Sequence, residues 1–342
     1  MLERGHEVTI AAPPETAIAQ MARRMGIPLL PLAVRRKRLV ELAAVRHWLA
    51  GTGKRVDVLN THSSTDSWLA ALACATLRDA PPIVRTRHVS TTINQHATTR
   101  WLYGHAAAHI VTTGNALRRQ VAQQMNLPQD RVTSVPTGID LAQFVPGNAA
   151  AARRRLGLPL RQILGIVATL RTWKGHEYLF KAIASNHERW RDWVVVVVGD
   201  GPHRPHLEAH VQALGLAEVV RFVGNQDDVV PWFQALDLFA LPSYGEEGVP
   251  QAIMQAMACG IPVVSTPIGA IAEAVDHERT GLLVAPRSAT ALALGLERLR
   301  DDPASRSRFG AKGRSRALRD FGIGLMLDRM EDVFRRLTRS NQ

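Results

Sequence analysis

The residues best suited to chemistry lie in Ser243-Tyr244-Gly245-Glu246-Glu247-Gly248-Val249-Pro250-Gln251, where a strand-like run gives way to a glycine-containing turn and then a helical pattern. Pro250 suits the first helical position, where a missing N–H costs nothing. The free backbone N–H groups of Gly248, Val249 and Gln251 would face outward at that helix start and attract an anion. Glu247 stands beside them, and Gln255, two turns on, can face the same crevice. An ordinary strand–turn–helix needs none of the paired acids. His62 and His88 each follow a β-rich run, at 56–61 and 82–87, and open α/β sheets bind ligands at the carboxyl ends of their strands. One histidine there is more often structural, but two at equivalent strand ends point to function. His88 could orient a bound ligand or shuttle a proton near neutral pH. Arg87 is a phosphate contact or a solvated charge. Gly199-Asp200-Gly201-Pro202 is a post-strand turn whose first role is geometric. Asp227-Asp228 comes nearest to a metal-binding acid pair and reads as a loop and helix cap, so no metal and no cofactor is expected.

The elements that must hold these residues alternate along the whole chain. Strands are predicted at 6–12, 27–32, 56–61, 82–87, 110–113 and 132–136, then at 163–170, 193–199, 219–223, 238–242, 262–266 and 281–285. Helical patterns lie between them, among them 67–77, 116–125, 178–184, 206–214, 251–258 and 289–299. Val/Ile-rich strands alternating with helices mean parallel sheets covered on both faces. A dozen strands fit two doubly wound domains better than one sheet. Pro146, Gly147 and Pro159 mark the boundary, giving domains 1–146 and 147–322. Ile323, Leu327, Met330, Phe334 and Leu337 make 323–342 a long amphipathic helix, expected to cross back to the first domain.

Composition narrows the classes. The 342 residues carry 42 Lys+Arg against 30 Asp+Glu, a net of 42 − 30 = +12, with 46% hydrophobic residues. Residues 1–146 hold 17 basic and 9 acidic side chains, a net of +8. Disorder is excluded. Two cysteines, Cys74 and Cys259, form neither a disulfide scaffold nor a CxxC metal site. No apolar run approaches the roughly 20 residues of a membrane span, and the first residues lack a secretory h-region. The expectation is a soluble, cytoplasmic protein. Arg35-Arg36-Lys37-Arg38 open an apparent basic amphipathic helix with Leu39, Leu42, Ala43, Arg46 and Leu49 at helical spacing. That helix is a solvated face or a peripheral contact with the anionic inner face of a membrane. Nucleic acid is disfavoured, because no stacking-aromatic or helix-turn-helix pattern accompanies the charge.

EGVPQAIMQAMACGIPVV resembles the E-x7-E signature of the family 4 retaining glycosyltransferases, also called glycosyl transferases group 1, whose fold is GT-B. VATLRTWKGHEYL, VVVVVGDGP, FVGNQDDVVPWFQALDLFALPS and TGLLVAP extend the resemblance through the second half, and VLNTHSS, IVRTRH and SVPTGIDLAQF through the first. It implies two Rossmann-like domains facing across a cleft, the second holding a nucleotide-diphosphate sugar and the first an acceptor. It gives Glu247 the donor sugar hydroxyls, Gln255 the ribose, Lys174 the diphosphate, His88 the donor sugar and acceptor hydroxyl, and Glu273 a place near the cleft. In such a turn alone, Lys174 would be a commonplace surface charge. Two positions depart from the pattern: Gln255 replaces an acid, and Thr169 replaces an arginine for which Arg171 is the nearest substitute. A third departure is at the start. Met1–Gly5 reads as the end of a helix, so the family's first strand and glycine-rich loop are expected upstream of it. The expected activity is transfer of a sugar, with retention, to a lipid-linked, lipopolysaccharide or polysaccharide acceptor. A silent protein that binds nucleotide or a membrane partner is the alternative, followed by an epimerase or phosphorylase. A nicotinamide dehydrogenase is disfavoured for want of G-x-G-x-x-G.

Overall fold

The run Trp193-Val194-Val195-Val196-Val197-Val198 has β-branched residues at five positions, stiff in χ1 and suited to a pleated surface, and all six residues are buried. Burial on both faces is what a central parallel strand requires. The computed structural model, which describes residues 1–32, 37–88, 91–245 and 247–339, makes this run the fifth-placed strand of a six-stranded parallel sheet. The chain forms two compact units. The first comprises 1–113, 117–135 and 327–342, and the second 114–116 and 136–326.

In the second unit, strands β7 (Gln162–Val167), β8 (Trp193–Val198), β9 (Val220–Gly224), β10 (Leu238–Leu241), β11 (Val263–Ser265) and β12 (Gly281–Leu283) are ordered β12-β11-β10-β7-β8-β9. The order reverses between β7 and β10. From β7 the chain winds outward through β8 to β9, and from β10 it winds the other way through β11 to β12. Ile163, Val195, Phe239, Ile253 and Leu296 are fully buried in its core. Trp190 and Trp193 meet edge to face at 5.5 Å.

In the first unit, β3 (Leu59–Thr61), β4 (Ile83–Arg87), β5 (Ala107–Thr112) and β6 (Val132–Ser134) form a parallel sheet in chain order. Among the described residues, strands β1 (Ile10–Ala12) and β2 (Leu29–Pro31) pair only with each other. All twelve predicted strands are present, mostly shorter by one to four residues where the ends leave the ladder. Helix Pro303–Asp320, which no predicted element covers, is the longest among the described residues.

Three local expectations change. Pro250 is extended (φ −69°, ψ 127°) and caps helix Gln251–Ala258 from outside rather than starting it. Helix Leu39–Ala50 begins after Arg38, and its core side is Val45 and Leu49, with Leu39 and Ala43 exposed. Arg35 and Arg36 lie outside the described residues. Helix Ile323–Arg339 is grouped with the second unit up to Met326 and with the first from Leu327. Within the first unit Arg4 pairs with Asp328 (2.7 Å) and with the buried Glu331 (3.3 Å). Among the described residues, no helix is long and apolar enough to cross a membrane.

Candidate active site

The loops that follow β7 and β10 lie at the point where the strand order reverses, the usual ligand crevice of an open α/β sheet. The first loop ends in the turn Thr172–Lys174, closed by Gly175 at φ +78°. The second carries Glu247. The two loops are tied by backbone: Tyr244 N–H donates to the Trp173 carbonyl at 2.8 Å. Lys174 Nζ donates to Glu247 Oε1 at 2.6 Å, and both side chains are largely withdrawn from solvent, 19% and 11% exposed. An ammonium has three N–H donors, so this bond leaves two for a ligand.

Glu247 is held from the far side as well. Its carbonyl accepts from Ala270 N–H at 3.0 Å. Gly269 sits at φ +59°, and a Cβ there would overlap the Glu247 backbone. Only glycine meets both conditions.

Helix Gln251–Ala258 starts beside Glu247, and among the described residues no side chain caps it; Ile253 N–H turns back to the Pro250 carbonyl at 3.1 Å, which leaves the N–H groups ahead of it to face an anion. Gly248 is half-buried, Val249 is buried and Gln251 is exposed. Gln255, half-buried, is one turn beyond Gln251 on the same face. Thr169 and Arg171 are exposed, and the Arg171 guanidinium lies over the Trp173 ring at 5.4 Å. Gly201 follows β8, where its N–H binds Asp200 Oδ1 at 2.6 Å and His203 N–H binds the Leu170 carbonyl at 3.1 Å, joining that turn to the first loop. Glu273 is fully engaged: its two oxygens accept from the N–H groups of Asn115 and Ala116, each at 2.6 Å. Asp228 accepts from Val230 N–H at 3.0 Å from one residue before Val229, the N-cap of helix Val230–Gln234, so it supports the loop without being the cap itself.

In the first unit the two strand-end histidines meet. His62 Nδ1 and His88 Nε2 are 3.0 Å apart, with the rings stacked at 5.3 Å between centroids. One proton between them makes the bond. A second is disfavoured, because desolvation and the neighbouring ring lower the pKa of His62, and desolvation lowers that of His88. Asp66 accepts from His62 N–H at 3.0 Å and closes a capping box with Ser63. Arg87 is turned inward: its guanidinium donates to the Tyr103 hydroxyl at 3.1 Å and to Thr91.

Asp66, Gly269 and Ala270 also build the site. Asp66 had a signal, since Ser63-Ser64-Thr65-Asp66 has capping-box spacing. Gly269 had none, because its requirement comes from a backbone 22 residues away in the chain.

Two family models match the chain, Glycosyltransferase Family 4 over residues 1–143 and Glycosyl transferases group 1 over 161–302. A D-inositol 3-phosphate glycosyltransferase 2 of Catenulispora acidiphila is 34% identical over 68% of this chain and 56% of its own length. The chain thus spans little more than half of that relative. The lipopolysaccharide core biosynthesis mannosyltransferase LpsB of Rhizobium meliloti is 29% identical over 91% of this chain and 87% of its own. Among solved structures, Anabaena HepE, crystallised with UDP, superposes with a TM-score of 0.83 at 19% identity, covering 95% of this chain and 91% of its own. That likeness gives the fold. With both halves matched by family models and the signature residues grouped around Glu247, the chain belongs to the group 1, family 4 glycosyltransferases and has the GT-B fold.

Proposed function

We propose that the chain is a glycosyltransferase that takes a sugar from a nucleotide-diphosphate donor and passes it, with retention, to a cell-envelope acceptor. The observation that carries this reading is the Lys174–Glu247 pair at the strand-order reversal, beside the uncapped helix Gln251–Ala258. Glycosyl transfer passes through an oxocarbenium-like state while the leaving diphosphate gathers negative charge. The two remaining N–H groups of Lys174, with those of Gly248, Val249 and Gln251, would stabilise that charge. Glu247 Oε2 would accept from a donor sugar hydroxyl, and Gln255 would hold the ribose, accepting from one hydroxyl and donating to the other. Thr169, Arg171 and Gly201 would complete the donor side.

In the first unit the His62–His88 pair would orient the acceptor and relay its proton. Arg87 would shape that site through Tyr103 and Thr91, and Glu273 would fix the backbone at Asn115 and Ala116. UDP is the first nucleotide to test, since HepE was crystallised with it. The LpsB resemblance supports a lipopolysaccharide-type acceptor. A peripheral contact with an anionic inner membrane face would use Lys37 and Arg38 beside the exposed Leu39 and Val40.

The test is thermal stabilisation by UDP, GDP, ADP and their sugar conjugates, followed by hydrolysis of the conjugate that binds. A shift with one nucleotide and slow release of its sugar supports the transferase. Binding without turnover favours the silent nucleotide-binding protein, to which Gln255 and Thr169 point. No shift with any nucleotide, from a folded chain, rejects both.

A further inference from the structure

Helices His176–Ala184 and Arg204–Ala213 pack together in the second unit, and a cluster that the transferase reading does not use sits between their first turns. Glu177 Oε1 faces His203 Nε2 at 3.0 Å and His206 Nε2 at 3.1 Å, so two imidazoles converge on a single carboxylate oxygen. The two rings stack at 4.6 Å with 21° between their planes. The ligating atoms of all three residues lie within 4.8 Å of one another. Further imidazoles surround them. His210 stacks on His206 at 6.2 Å. His176, next to Glu177 in the chain, is only 1% exposed, and neither of its ring nitrogens has a hydrogen-bond partner.

We infer that Glu177, His203 and His206 form a zinc-binding site. Two imidazole nitrogens and one carboxylate oxygen are a three-ligand set that Zn²⁺ takes, with water in the fourth position. Ligands about 2.0–2.2 Å from a tetrahedral metal lie about 3.3 Å from each other. The observed 3.0 and 3.1 Å separations need only small side-chain rotations to admit the ion. The order His203-x2-His206 places one ligand at the N-cap and one in the first turn of the same helix, and Glu177 supplies the third from its neighbour. Side-chain exposures of 17% for His203, 33% for Glu177 and 58% for His206 open the cluster to an ion from solvent.

The site's placement gives it a purpose. Glu177 is three residues beyond Lys174, and His203 is two beyond Gly201. The ion would therefore staple the helix behind the Lys174 turn to the helix behind the Gly201 turn. It would set both donor-side turns without touching the reacting groups.

The test uses the full chain without a polyhistidine tag, stripped with chelator and titrated with Zn²⁺ by calorimetry. Co²⁺ serves as a spectroscopic probe of tetrahedral coordination. The expected result is one ion per chain, intense visible Co²⁺ bands, and a rise in melting temperature on adding Zn²⁺. Glu177→Gln and His206→Ala, both at partly exposed positions, should each weaken binding at least about tenfold and abolish the Co²⁺ bands. His47→Ala, on an exposed helix elsewhere, should change neither. Two results would overturn the assignment: no stoichiometric binding to the wild-type chain, or binding that persists unchanged in both cluster variants. Because the readouts are metal binding and coordination, the outcome is independent of whether nucleotide binds.

Discussion

Lys174→Met removes one ammonium and keeps most of the aliphatic stem. In the free protein the 2.6 Å bond to Glu247 goes, leaving a carboxylate with an 11% exposed side chain and no cation beside it. Stranding a partly desolvated charge should lower stability by about 1–3 kcal/mol. That loss is common to the free and bound protein, so it appears in the melting temperature and cancels from nucleotide affinity. Affinity loses the two N–H groups that Glu247 does not occupy. Each charge-assisted bond to a phosphate oxygen is worth about 1.5–3 kcal/mol, so together about 3–6 kcal/mol. At about 1.4 kcal/mol per tenfold, the nucleoside diphosphate should bind about 10²–10⁴ times more weakly. The assay is calorimetric titration with whichever of UDP, GDP or ADP stabilises the wild-type chain. Lys174→Arg keeps the charge and should recover part of the loss. Glu247→Gln should leave nucleotide affinity within about threefold, because the ammonium remains, while sugar release falls sharply. A folded Lys174→Met chain that binds the nucleotide within about threefold of wild type would refute the assignment of this lysine to the diphosphate.

Three further outcomes follow from other parts of the molecule. Gly269→Ala forces a Cβ toward the Glu247 backbone at φ +59°, so stability should fall by about 1–3 kcal/mol or more and donor binding should weaken with it, read by denaturant titration and calorimetry. Asp66→Ala removes the capping box of helix Ser64–Cys74, and with it the acceptor for His62 N–H; a loss of about 0.5–2 kcal/mol is expected, with nucleotide affinity unchanged. Burial holds His176 down to about 3 and His109 down to about 4, so both are neutral in the folded chain. Unfolded imidazoles take up protons below about pH 6.5, so stability present above that pH is lost as pH falls, by up to about 1.4 kcal/mol per pH unit per group. Chelated protein unfolded at pH 7 and pH 5 should therefore differ by up to about 4 kcal/mol, and His109→Gln should flatten the slope; equal stability at both pH values counts against burial of these rings.

The sequence was most legible where one local pattern suffices. Strands such as β8 and β10 are the clearest, because a parallel strand buried on both faces must be apolar throughout, while the partly exposed β1, β2, β3 and β9 are placed by their alternation with helical runs. Helix Gln251–Ala258 is legible at its end, where Gly260 at positive φ stops the helical run, and less so at its start, where Pro250 stands outside as an extended cap and not at the first helical position. Helix Pro303–Asp320 was invisible for the opposite reason. Six of its eighteen residues are arginine or lysine, and its buried side is small, with Ser305, Gly310, Gly313 and Ala317 around Phe309. No apolar stripe marks such a helix, and close packing does the work instead. The core side of Leu39–Ala50 was misread because Val45, rather than Leu39, faces inward, and periodicity alone does not say which of two apolar rows will find a partner.

Contacts between distant residues were out of reach for a different reason, and the candidate donor site shows which of them topology could still supply. Lys174 and Glu247 are 73 residues apart, yet each begins the excursion after a strand that starts a new winding direction. Successive strands from β7 turn one way and those from β10 the other, so the connections leaving β7 and β10 diverge to opposite faces and open a gap above the two strands. Whatever polar residues open those connections are brought together by the winding itself. Strand order therefore brings the two loops together once β10 lies beside β7, while the pairing of Lys174 with Glu247 in particular is set by the side chains. The Glu177–His203–His206 cluster depends instead on which side two neighbouring helices present to each other, a rotation that their sequences leave open. That difference predicts where substitutions act: exchanging residues on the outer faces of helices His176–Ala184 and Arg204–Ala213 should leave the Lys174–Glu247 pair intact, because the sheet sets it, while a change that rotates either helix should dissolve the histidine cluster first.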